Sequence, residues 1–267
     1  MKAVGVLTMP GTEWLGSELR SYLIYDNYKW LTKAGLRVIP IPVGTTDAEA
    51  LVYFSQIQGL YLPGGPYDEP TYRRLAFRFL DLASEANRDR PGSFPVWGTC
   101  HGFQMMLLWS GVSSLDSLDA MRTTAPSLRL LDKGRLFKSH TLKPSHLHLS
   151  HSLGITLDHF QNHRSLFRVL ATSYDQSHDQ KEYVIAMEGR TLPFYGVQFH
   201  PEMTSTLDWM ATFFKKEMGP ANQKRLPLPH TFSLTTDRLR PCPSVWDEYH
   251  SEPTRCFVFC GKPSLKI

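Results

Sequence analysis

Two short stretches carry the residue types that nucleophilic catalysis needs. The first is Gly98-Thr99-Cys100-His101-Gly102, which follows the apolar run Pro95-Val96-Trp97 and leads into an apolar, helix-like segment at 105–109. A strand that turns sharply into a helix holds one side chain at its apex, and glycine on both sides removes the Cβ atoms that would obstruct the turn. A thiol at that apex feels the positive end of the helix dipole, which favours thiolate. The second stretch is Gly196-Val197-Gln198-Phe199-His200-Pro201-Glu202. Cysteine catalysis requires an imidazole to accept and return a proton, and a further group to orient that imidazole. His200 ends an apolar strand and supplies the first; Glu202, pulled out of strand geometry by Pro201, supplies the second. Alone, each fragment also fits a plain structural role, as a buried cysteine or a solvated histidine. In this chain order they describe a thiol with its base and orienting carboxylate.

The elements that must position these groups alternate. Ala3–Leu7 reads as a strand, and residues 17–34 read as a helix with an apolar stripe through Leu19, Leu23, Trp30, Leu31 and Ala34, stopped by Gly35. Arg37–Ile41 is a second strand. Thr46 caps a short helix through Phe54, and Gly59–Leu62 is a strand that ends in Pro63-Gly64-Gly65. Residues 72–87 are helical. This alternation predicts an α/β fold, a mostly parallel sheet sandwiched by helices. Ligands of such sheets bind beyond the carboxyl ends of the strands, where both Pro63-Gly64-Gly65 and residues 98–102 fall. Residues 123–179 are rich in His and Ser and show no strong period. Residues 184–187 and 194–199 read as paired strands, and residues 206–218 as a closing helix. Beyond Gly219 the chain is Pro-rich. The expected organisation is one domain over 1–219, with an extended segment over 220–267 packed on it.

Composition bounds the function. The chain has 267 residues, 42% hydrophobic and 12% aromatic, enough for a substantial core. A formal charge of +4 without a basic tract argues against a nucleic-acid partner. The apolar run at the N-terminus is short and stopped by Pro10, so it does not read as a signal peptide, and no stretch is long enough to span a membrane. None of the four Asn residues opens a glycosylation sequon. The expected location is the cytoplasm, with a lysosomal or secreted location as the alternative if an upstream signal precedes this sequence. Four cysteines, Cys100, Cys242, Cys256 and Cys260, are too few for a disulfide scaffold and fit free thiols or one tail disulfide. Cys256-x-x-x-Cys260 lacks the second ligand pair of a zinc site.

Gly98-x-Cys100-x-Gly102 with His200-Pro201-Glu202 resembles the class I glutamine amidotransferase superfamily, and within it the gamma-glutamyl hydrolase family. Further fragments carry the resemblance in family order: Gly5-Val6-Leu7, Leu31-Thr32-Lys33-Ala34-Gly35-Leu36-Arg37-Val38-Ile39-Pro40, Gly59-Leu60-Tyr61-Leu62-Pro63-Gly64-Gly65, Met187-Glu188-Gly189 and Tyr195-Gly196-Val197. Cys256-Phe257-Val258-Phe259 is similar to the family's terminal strand. The resemblance implies a flavodoxin-like fold and a Cys-His-Glu triad acting as a cysteine peptidase. Cys100 would attack the γ-carbonyl of glutamate, His200 would serve as base and then acid, and Glu202 would orient His200. The N–H groups of Gly65 and His101 would hold the oxyanion, with Gly64 leaving room for substrate. His163, in Gln161-Asn162-His163-Arg164, is the candidate for the α-carboxylate or the leaving group; a loop histidine is the alternative.

Two positions depart from the hydrolase pattern. His101 stands where an apolar residue is usual, either as a cation beside the thiol or pointing to solvent. Gln104 completes Gly-x-Cys-x-Gly-x-Gln, closer to the synthetic amidotransferases, and is counted among the substrate-binding residues. Tyr22, Tyr25, Tyr28 and Trp30 form either a stacking wall for a pteridine group or part of the core. The implied activity is hydrolysis of gamma-glutamyl amide bonds in folylpoly-gamma-glutamates, through a gamma-glutamyl thioester and without metal or organic cofactor. A glutaminase subunit of an amidotransferase and a hydrolase of polyamine or glutathione-like gamma-glutamyl amides are the alternatives. A binding module that merely kept the fold is disfavoured by the presence of Cys100, His200 and Glu202 together. The expected partner is a small-molecule gamma-glutamyl substrate, with no nucleic acid and no membrane, and homodimer formation is left open.

Overall fold

The computed structural model describes residues 1–11, 21–65, 70–124, 127–163, 166–220, 228–229, 232, 234–242 and 254–259. The first half runs β1 (Ala3–Leu7), β2 (Met9–Pro10), β3 (Ser21–Ile24), α1 (Tyr25–Lys33), β4 (Arg37–Ile41), α2 (Asp47–Gln56), β5 (Gly59–Leu62), α3 (Pro70–Asp89), β6 (Val96–Thr99) and α4 (His101–Trp109). There follow β7 (Asp116–Thr124), β8 (Arg129–Leu130), β9 (His148–Gly154), α5 (Leu157–Gln161), β10 (Phe167–Tyr174), β11 (Glu182–Gly189) and β12 (Phe194–Val197). The last elements are α6 (Asp208–Glu217), β13 (Leu239–Pro241) and β14 (Arg255–Phe259).

The main sheet has the order β4-β1-β5-β6-β12-β11-β10-β8. Its first five strands are parallel, and the last three are antiparallel additions. Strands β1, β5 and β6 are buried along their whole length, as strands covered on both faces must be. The two-residue period of the pleat divides their side chains between two cores. Leu7, Leu60, Leu62 and Val96 join α2, α3 and α4 on one face. Val4, Val6, Tyr61 and Trp97 join α1 and α6 on the other. Thr46 caps the start of α2, as the sequence predicts, and Glu49 completes a capping box with it. Among the described residues no helix is long and apolar enough to cross a membrane.

The helix expected over 17–34 is shorter, and it begins only at Tyr25. Residues 21–24 form β3 because they pair with β14, far along the chain, and that long-range pairing overrides local helix spacing. Leu19 lies outside the described residues. A second, antiparallel sheet results, ordered β13-β14-β3-β2. Cys242 and Cys256 are joined by a disulfide at its β13–β14 side; Cys260, Pro227, Pro243, Pro253 and Pro263 lie outside the described residues. The aromatic residues of this region pack against one another and against the core. Trp30 lies 5.8 Å from the rings of both Tyr61 and Trp97 in the core. Tyr25 and Tyr28 both meet Phe257 of β14 edge-on. The segment without period, 123–179, supplies β9, which pairs with β7 as a separate two-stranded sheet and crosses the carboxyl ends of the main strands.

Candidate active site

Cys100 sits between β6 and α4 with φ 50° and ψ −103°. A non-glycine residue there carries strain of about 1–3 kcal/mol, which persists only where the surroundings enforce it. The enforcement is visible. Cys100 N–H donates to the Val197 carbonyl at 2.8 Å, and Gly102 N–H donates to the Pro63 carbonyl at 3.1 Å. A Cβ on Gly98 would lie 2.7 Å from the Gly102 carbonyl, and one on Gly102 would run into the Leu62 carbonyl oxygen. Both glycines are therefore required for the turn to close. α4 begins at His101, whose N–H is among the donors that a helix start leaves without an intrahelical partner.

The imidazole of His200 reaches the same rim. Its backbone N–H donates to the His148 carbonyl at 2.9 Å, and its Nδ1 lies 2.8 Å from Glu202 Oε1. Both side chains are almost fully buried. Burial alone would depress the His200 pKa, but the Glu202 carboxylate and then the Cys100 charge overcome it, pushing the value up to about 10. With Nδ1 taken by Glu202, Nε2 is left free to exchange a proton with the Cys100 thiol. Gly64 closes the group: a Cβ there would lie 2.5 Å from His200 Cε1 and 3.4 Å from Cys100 Cβ. Gly65 next to it packs against the Met9 side chain of β2.

The other expected residues divide. His101 is neither a cation nor solvent-exposed. The residue is 2% exposed, and its ring lies tilted against Tyr72 with centroids 5.3 Å apart. Burial lowers its pKa to about 4, with Arg73 adding to the effect, so the imidazole is neutral. Gln104 donates through Nε2 to the Leu153 carbonyl at 2.7 Å, so it tethers β9 to the nucleophile helix. His163 is not in the site. Its Nε2 lies 3.3 Å from the Ser110 carbonyl, at the far end of α4. At 1.5 Å per residue that is about 15 Å from Cys100.

His151, on β9, is the histidine within electrostatic reach of His200, with its ring edge-on to Tyr183. Its Nδ1 is 3.0 Å from the Leu153 carbonyl, while Nε2 is buried with no hydrogen-bond partner among the described residues. Burial lowers its pKa to about 4, and the His200 charge pushes the same way. On the same strand, the Ser150 carbonyl stands 3.9 Å from Cys100 Sγ. Sequence reasoning missed His151, although Leu147, Leu149 and His151 alternate in the two-residue period of a strand face, and all three are buried. Among the described residues no three His, Cys, Asp or Glu side chains cluster to hold a metal ion.

The model of the class-I glutamine amidotransferase family matches residues 23–218, which include the elbow, both glycines and His200-Pro201-Glu202. The chain belongs to that family. Among its relatives is the gamma-glutamyl hydrolase of Mus musculus, 33% identical over 210 residues that make up 72% of this chain and 64% of the relative. That of Homo sapiens is 32% identical over 202 residues, 68% of this chain and 61% of the relative. The chain thus spans under two thirds of the length of these relatives. Among solved structures, a Thermoplasma acidophilum protein assigned to GMP synthase shares the fold. Its TM-score is 0.55 at 18% identity, covering 81% of this chain and 92% of the other. Within the matched span, β5 leads into Gly64-Gly65, β6 into Cys100, and β12 towards His200.

Proposed function

We propose that this protein is a cysteine-dependent gamma-glutamyl hydrolase acting on folylpoly-gamma-glutamates. The observation that carries this reading is Cys100 on a strained elbow beside an imidazole paired at 2.8 Å with a buried carboxylate, in a chain with gamma-glutamyl hydrolase relatives. The thiolate of Cys100 attacks the γ-carbonyl carbon, and the resulting oxyanion accepts from the N–H groups of His101 and Gly65. Protonated His200 gives its proton to the departing amine nitrogen as the C–N bond breaks, which leaves a gamma-glutamyl thioester. Neutral His200 then takes a proton from water; the hydroxide adds to the thioester carbonyl, the C–S bond breaks, and the thiolate is restored. Glu202 holds the ring through both transfers. His151 takes the part for which the sequence suggested His163, offering a buried, neutral Nε2 beside His200 to a polar group of the substrate.

Gln104 supports a second reading, a glutaminase subunit that requires a partner. Its side-chain amide is engaged with Leu153, which favours the unaided hydrolase. The Cys242–Cys256 disulfide supports a location on the secretory or lysosomal route over the cytoplasm, because cytosolic thiols are kept reduced. The test offers the purified protein pteroyl-poly-gamma-glutamate, glutamine and gamma-glutamyl polyamines in parallel. Release of glutamate or gamma-glutamyl peptides from the folate, abolished in Cys100→Ala, is the expected result. Glutaminase activity that appears only with a partner protein overturns the reading.

A further inference from the structure

β9 pairs with β7 in a sheet of two strands, apart from the main sheet. A two-stranded ribbon has little stability of its own, so its place over the triad is set by bonds to the rest of the fold. Backbone pairs hold its flanks. The His148 carbonyl accepts from His200 N–H at 2.9 Å, and the Ile155 carbonyl, just past the strand, accepts from Val184 N–H at 2.9 Å. Between these points the strand passes the nucleophile, with the Ser150 carbonyl 3.9 Å from Cys100 Sγ. Cys100 is 5% exposed, and β9 is part of what covers it. Side-chain packing does not hold the stretch that follows, because Ser152 and Leu153 are both exposed.

Gln104 reaches that stretch. It sits one helical turn beyond Cys100, and its backbone N–H donates to the Cys100 carbonyl at 3.0 Å, so the two residues share a face of α4. The side-chain nitrogen has two protons to give. Nε2 donates to the Leu153 carbonyl at 2.7 Å and to Gln198 Oε1 at 3.4 Å. Gln198 is wholly buried and stands two residues before His200. The Leu153 carbonyl also accepts from His151 Nδ1 at 3.0 Å, so both of its lone pairs are used. A carbonyl only accepts, which fixes the Gln104 amide with its nitrogen towards β9. One amide therefore joins the nucleophile helix, the segment that leads to His200 and the exposed half of β9. Stability alone does not call for it, because matched apolar side chains at 104 and 198 are close to neutral.

We propose that Gln104 is a positioning residue that holds residues 150–153 of β9 in place as a cover over the Cys100 thiol. The proposal rests on Cys100 as the nucleophile but not on the substrate, so two of its measurements need no substrate. Amide hydrogen exchange and Cys100 alkylation by iodoacetamide are compared in the full-length wild type, Gln104→Met and Gln104→Met/Gln198→Met. They are paired with kcat and KM on pteroyl-poly-gamma-glutamate and with thermal melting. In Gln104→Met, exchange across 148–154 is expected to rise about tenfold, the effect of losing one ordinary hydrogen bond, with residues 96–109 within about twofold. Alkylation rises roughly threefold or more as the cover loosens. KM rises about tenfold with kcat within about threefold, the mark of lost substrate seating beside an intact triad. The double variant recovers the melting temperature and keeps these changes, because it removes the buried Gln198 amide without restoring the bond to Leu153. Exchange across 148–154 within about twofold of wild type overturns the proposal, and so does alkylation that falls together with kcat. A double variant in which exchange and KM return to wild type also overturns it, since the amide would then serve only Gln198. If the wild type cleaves no gamma-glutamyl amide while exchange and alkylation still rise in Gln104→Met, the functional reading fails and this one stands.

Discussion

Replacing Gly64 by alanine tests the geometry of the site with a single methyl group. The new Cβ would lie 2.5 Å from His200 Cε1 and 3.3 Å from Nδ1. Carbon–carbon contacts are comfortable from about 3.5 Å, so the ring must retreat by about 1 Å. It has nowhere to go at low cost. Nδ1 is tied to Glu202, the backbone N–H is tied to His148, and the residue is 6% exposed. A displacement of about 1 Å in a reacting group lowers turnover roughly 100-fold, equivalent to about 2.7 kcal/mol of transition-state energy. The overpacking itself costs about 1–3 kcal/mol of stability. Turnover, Cys100 alkylation and urea unfolding together separate the two effects. Gly44→Ala, where nothing lies within 4 Å of the added Cβ, is the control and is expected to leave all three near wild type. Gly65→Ala meets only the end of the flexible Met9 side chain and is expected to fall between. A folded Gly64→Ala protein whose turnover and alkylation stay within threefold of wild type would refute the placement of His200 against the glycine loop.

Three further outcomes are expected. In Cys242→Ser/Cys256→Ser, loss of a bridge of sequence separation 14 lowers unfolding free energy by about 3 kcal/mol, and reduced wild type should match it in urea titration. His101 and His151, held at about 4 by burial, cost stability as pH falls from about 6.5 towards 4, because the unfolded chain takes up their protons first. His200, raised to about 10, acts oppositely: its stabilisation is complete below about 6.5 and is lost as pH rises through 10. The acid-side fall in melting temperature should therefore shrink in His101→Phe, and an unchanged acid limb would contradict the buried, neutral ring. His163→Ala should leave kcat and KM within twofold of wild type, while His151→Ala should lower kcat/KM at least tenfold. Equal effects of the two would reverse the assignment made from β9.

What the sequence disclosed, and what it withheld, follows the range of the interactions involved. Cys100, Gly98 and Gly102 were readable because an elbow is a local object: glycines two residues either side of a thiol are a steric demand written into the chain itself. His200-Pro201-Glu202 was readable for the same reason, since proline sets the turn that brings Glu202 back to Nδ1. His151 was not, because its place depends on β9 pairing with β7 and on the bond from His200 N–H to the His148 carbonyl. His163 was favoured by its position in the chain order, but α4 separates Ser110 from Cys100 by its whole length. The side chain of His101 was misread because Tyr72, the ring it packs against, comes from α3. Residues 21–24 carry helix-like spacing, and only β14 makes a strand of them.

That second sheet has a consequence for the order of folding. β14 lies between β13 and β3, with Cys256 opposite Ile24 and Phe257 opposite Leu23. β3 pairs in turn with β2, whose Met9 side chain rests against Gly65. A strand near the front of the chain must therefore wait for one made far downstream, and pairings so distant in sequence form late. During synthesis the elbow and β5 are made long before β14 exists to brace β3. The wall behind Gly65 closes only when β14 arrives, so the surroundings of the glycine loop are among the last features that the nascent chain completes.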